Sequence, residues 1–121
     1  MENETYRSLF GALSVHLGAP SSHVSGSGVR FKSQLKGKAT VYHDNIAPGN
    51  QAEVAFDVES MASRLRMTAR EFQSFVAQLR ASTGRPVESN AQFNWPRVGI
   101  STESHVALID GALHQRFGAI S

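Results

Sequence analysis

The chain contains no cysteine. Disulfides, thiolate zinc sites and cysteine nucleophiles are therefore excluded, and the composition fits a reducing compartment. No apolar run approaches the roughly 20 residues that a membrane-spanning helix needs. The opening MENETYRS is acidic and polar, unlike a secretory signal. The expected location is the cytoplasm, with no membrane partner. Charged residues make up only 18% of the chain and the net charge is +2, so the overall field is a weak attractant for polyanions.

Catalytic patterns are also scarce. The histidines are His16, His23, His43, His105 and His114, and no pair has the spacing of a helical zinc motif. His105 and His114 fall on opposite sides of a helix. Asp110 and His114 are placed to share a hydrogen bond on the last helix. His43-Asp44 sits at a strand end beside a loop, a place that often carries function, but without a nucleophile. A restriction-type nuclease centre needs two carboxylates and a lysine. Asp44 and Glu53 supply the first, but Ala55 stands where the lysine would be. GSG at 26–28 precedes a strand rather than a helix, so it lacks the helix N-terminus of a phosphate loop. No nucleophile turn is visible. The expectation is a non-enzymatic chain with no cofactor and no metal, with an enzyme centred near His43 and Asp44 as a third alternative.

What remains is a globular pattern. The 121 residues, 40% of them hydrophobic, suit one domain spanning 1–121 with its own core. Tyr6, Leu9, Phe10, Leu13 and Leu17 form one helical stripe, and Gly18 and Pro20 end it. SSHVSGSG reads as a loop. In VRFKSQL the period changes to two, with Val29, Phe31 and Leu35 on one face and Arg30, Lys32 and Gln34 on the other. A turn at Lys36-Gly37 leads to a partner strand, KATVYH, and DNIAPGNQ forms a loop. AEVAFDV alternates again, turning Ala52, Val54, Phe56 and Val58 one way and Glu53 and Asp57 the other.

From Glu59 the helical period returns. Thr68 and Glu71 have capping-box spacing, and Met67 and Phe72 have the spacing of a hydrophobic staple. A new helix therefore begins at Thr68, with an apolar stripe of Phe72, Phe75, Val76 and Leu79. It ends at Gly84. Strand-like pieces follow at 87–93 and 97–100, then a last helix with the stripe Val106, Ile109, Leu113 and Phe117. Short turns between strands imply an antiparallel sheet. The expected fold is α+β: three to five strands, with N-terminal, central and C-terminal helices packed mainly on one face.

Charge is distributed in blocks. Residues 29–43 carry Arg30, Lys32, Lys36 and Lys38 without an acid. Residues 44–63 carry Asp44, Glu53, Asp57 and Glu59 without a Lys or Arg, and residues 64–85 hold five arginines against Glu71. Such blocks either make a two-signed surface or pair with one another.

MASRLRMTAREFQSFVAQLR resembles the helix-turn-helix of bacterial transcription regulators. Met61, Ala62 and Leu65 match its first helix, Met67 its apolar turn residue and Thr68 its second cap. Phe72, Val76 and Leu79 match the inward positions of a recognition helix. With 85–100 as a hairpin wing, residues 58–100 resemble a winged helix. Arg66 stands where the turn usually has glycine. The resemblance implies DNA binding, with Ala69, Arg70, Gln73, Ser74 and Ala77 facing outward. Arg70 and Gln73 would reach base edges, and Arg64, Arg66, Arg80 and Arg85 would meet phosphates. Arg30, Lys32 and Lys38, with Tyr42 nearby, offer a second basic surface, or only the wet side of a sheet. The alternative partner is a protein, for a small inhibitor or immunity-type module using the charge blocks, Trp95 and Arg97.

Overall fold

Asn3 opens the first helix: its side chain accepts the Tyr6 amide at 2.8 Å, satisfying one of the donors that a helix start leaves free. This computed structural model describes residues 3–20, 22–24, 28–33, 36–44, 46–83 and 95–119. Helix α1 spans Glu4–Leu17 and buries Tyr6, Leu9, Leu13 and Leu17, as their spacing dictates. Gly18 takes a positive φ of 81° as its C-cap.

Among the described residues, five strands follow the chain in order across one antiparallel sheet, β1 Ser22–Val24, β2 Gly28–Ser33, β3 Gly37–Tyr42, β4 Ala52–Phe56 and β5 Arg97–Ile100. Between β4 and β5 the chain makes α2, Val58–Arg64, and α3, Ala69–Thr83; α4, Glu103–Ala119, closes the fold. The expected α+β architecture is the observed one. Strand β1 corrects the expected loop at 21–28: Ser22 pairs with Arg30 and Val24 with Gly28. Its polar residues show no apolar alternation, so only pairing to β2 marks it as a strand. Val58, expected on the strand face, instead begins α2, because Asp57 caps that helix by accepting the Ser60 amide. The expected strand at 87–93 and the Gly84 stop lie outside the described residues.

The inner sheet face carries Val29, Phe31, Ala39, Val41, Ala52, Val54, Phe56, Val98 and Ile100, all buried. They share one core with the buried stripes of α1, α3 and α4. Phe56 meets Phe72 of α3 edge-to-face at 5.9 Å, which ties α3 to this face. Each fully buried leucine here contributes roughly 2 kcal/mol. Helices α1 and α4 are further joined by His16 Nε2, which donates to Asp110 Oδ1 at 2.9 Å. Asp110 thus pairs across to α1 rather than with His114 on its own helix.

Candidate nucleic-acid interface

The join between α2 and α3 is built by backbone geometry first. Leu65 caps α2, and Arg66 then takes φ 56°, the left-handed conformation. This is the position where the resemblance places glycine, and arginine accepts the left-handed cost there. The Met67 amide donates to the Ala62 carbonyl at 2.9 Å, fastening the reversal, while the Met67 side chain packs on the core. The expected capping box is present. The Thr68 amide donates to Glu71 Oε1 at 2.8 Å, and the Glu71 amide donates to Thr68 Oγ1 at 3.1 Å. Hydrogen bonding from Thr68 to the Glu71 carboxyl, the amide first and the hydroxyl second, holds it below its ordinary pKa, with Arg116 adding a smaller Coulombic pull.

Helix α3 buries Phe72, Phe75, Val76, Leu79 and Thr83. Ala69, Arg70, Gln73, Ser74 and Ala77 are exposed, as the periodicity predicts. Phe75 turns inward beneath the Arg116 guanidinium, so it does not interrupt the outer stripe. Arg66 and Arg70 are exposed and have no ion-pair or hydrogen-bond partner for their guanidinium groups among the described residues. Asp57, the nearest acid ahead of α2, is used as its cap.

The other arginines of the block are engaged. Arg64 is half-buried with its guanidinium 4.6 Å from the centre of the Phe117 ring, and Arg80 is half-buried and has a partner. The exposed cations at the turn therefore reduce to Arg66 and Arg70. Arg85 lies outside the described residues.

Arg30, Lys32 and Lys38 alternate with inner-face residues and so project from the outer side of the sheet. Because α3 packs its buried stripe on the inner side, its exposed stripe and the basic strands face opposite ways. The strands do not extend the helix surface. Register puts Tyr42 on the same outer side, opposite Glu53. Arg30 Nε donates to Thr40 Oγ1 at 3.0 Å, and its guanidinium lies 5.7 Å from the centre of the Trp95 ring. Arg97 lies 4.1 Å from the centre of the Tyr42 ring. Trp95 and Arg97 are thus both engaged within the chain.

One buried polar group carries only a weak local signal. Glu53 falls on the outer sheet side yet is 0% exposed. The Ala47 amide and Asn50 Nδ2 donate to its Oε2 at 2.6 and 2.9 Å, and Arg97 approaches its Oε1 at 3.4 Å. That last contact has ion-pair distance without hydrogen-bond alignment, since Glu53 Oε1 and Arg97 Nε otherwise lack partners. The 46–50 loop is folded over the sheet by this carboxylate. An asparagine three residues before a strand glutamate, inside a turn-rich segment, was the one available hint.

His43, considered for chemistry, meets Tyr6 edge-on at 4.7 Å. Ser101 Oγ lies 3.2 Å from His105 Nδ1, which also accepts the Ser101 amide, so this pair serves the start of α4. Among the described residues no group of three or more His, Asp or Glu is placed to hold a metal, and no helix is long and apolar enough to cross a membrane.

No protein-family model matches the chain, and no curated protein or solved structure matches it.

Proposed function

We propose that this chain is a nucleic-acid-binding domain that docks on duplex DNA through the turn and outer stripe of α3. One observation carries the reading: Arg66 and Arg70 stand exposed at the chain reversal with no acidic partner among the described residues. Unpaired guanidinium groups attract anions, and planar arginine suits phosphates and guanine edges.

The stripe beyond them fits a groove. Ala69, Ser74 and Ala77 are small, so the helix backbone can approach closely, while Gln73 supplies the amide that pairs with adenine. Arg66, on the turn, is placed for a phosphate, and Arg70, on the first turn of α3, for a base edge. Fluorescence anisotropy with a random duplex at low salt tests this. Binding by the native chain, lost in Arg66→Ala/Arg70→Ala with the fold intact, supports the proposal. Equal binding by the double variant refutes it.

A further inference from the structure

The outer face of the sheet has a design that the helix-turn surface does not explain. Lys32 lies directly opposite Lys38 in the register of β2 and β3. Like charges in that relation repel one another. Arg30 stands on the same side, one step along the alternation from Lys32; Glu53 on this side is buried under Arg97 and its loop, and Asp57, one residue past β4 and beside Lys38, is used as the cap of α2. No acid among the described residues forms an ion pair with Lys32 or Lys38.

Two guanidinium–aromatic pairs lie beside these cations. Arg30, Thr40, Ala55 and Arg97 form one register row across four strands. Its two arginines each lie against a ring, Arg30 over Trp95 and Arg97 over Tyr42. Thr40 and Ala55 between them are buried, while Arg30, Tyr42, Trp95 and Arg97 are each partly exposed. Planar arginine and aromatic side chains are the platforms on which unstacked bases sit, and lysines beside them follow the phosphates. Duplex has no splayed bases to place there.

We propose that the outer sheet face is a second site that takes single-stranded nucleic acid, its phosphates at Lys32 and Lys38 and its bases on the Arg30–Trp95 and Arg97–Tyr42 pairs. The site lies on the side of the sheet away from α3 and stands independently of the duplex reading.

Trp95 is the chain's one tryptophan, which makes it a built-in reporter. The experiment titrates the full chain with a thymidine oligonucleotide of about ten nucleotides, within the span that such platforms cover, and follows tryptophan emission. The duplex of the same length and heparin serve as comparisons. The single strand is expected to quench the emission, more weakly as salt rises. Lys32→Glu turns the Lys32–Lys38 repulsion into an attraction, so its melting temperature is expected unchanged or higher while single-strand affinity falls at least tenfold. Arg66→Ala/Arg70→Ala is expected to leave the quench unchanged. The proposal is overturned if the single strand fails to quench, if heparin or duplex quenches equally, or if Lys32→Glu binds as the native chain does.

Discussion

Thr68 and Glu71 hold each other across the start of α3, each backbone amide donating to the other's side chain, at 2.8 and 3.1 Å. Thr68→Ala removes one of these bonds and is expected to cost about 1 kcal/mol. The Glu71 carboxyl has a lowered pKa in the folded chain, chiefly from the Thr68 amide. A lowered folded pKa means the carboxylate's contribution is complete above the unfolded value and disappears as pH falls through the folded one. Thermal melts across the acid range should show the native chain more stable than Glu71→Gln above the ordinary glutamate range. The two should converge below it.

A substitution at Arg66 tests folding and the proposed binding separately. Its φ of 56° suits glycine better than arginine. Relief of left-handed strain, about 1–2 kcal/mol, outweighs the extra unfolded-state freedom of glycine, about 0.5–1 kcal/mol. Arg66→Gly is therefore expected to melt at the same temperature or slightly higher, while duplex affinity drops. A fall in both together would mean that the side chain is structural.

Glu53 is a buried anchor whose loss leaves Arg97 short of its counter-charge. Glu53→Ala is expected to lose about 3 kcal/mol in urea unfolding. Replacing both charges, as in Glu53→Gln/Arg97→Met, should recover part of that loss, because the isolated cation is then gone as well.

The parts of the fold written in local pattern were legible in the sequence. The α1 stripe, the alternation of β2 to β4 and the Thr68 cap each follow from spacings of a few residues. The exposure of Arg70 and Gln73 followed from the same periodicity. What escaped was written in contacts between distant residues. Strand β1 has no alternation of its own and exists through its pairing with β2. Asp110 could have met His114 four residues on, but the packing of α1 against α4 presents His16 instead. Alternation alone places Glu53 toward solvent, and the 46–50 loop folding over it is a contact that alternation does not encode. The arginine block looked uniform in sequence, and only tertiary packing distinguishes Arg64, laid on Phe117, from exposed Arg66.

The most direct test of duplex recognition by the turn is the salt dependence of binding for the native chain and for Arg66→Ala. Anisotropy is measured with one duplex from about 50 to 200 mM salt, where the logarithm of affinity is linear in the logarithm of salt. A phosphate contact at Arg66 predicts that the variant binds this duplex more weakly and that its slope is shallower by about 1. A slope and affinity identical to those of the native chain would contradict the account.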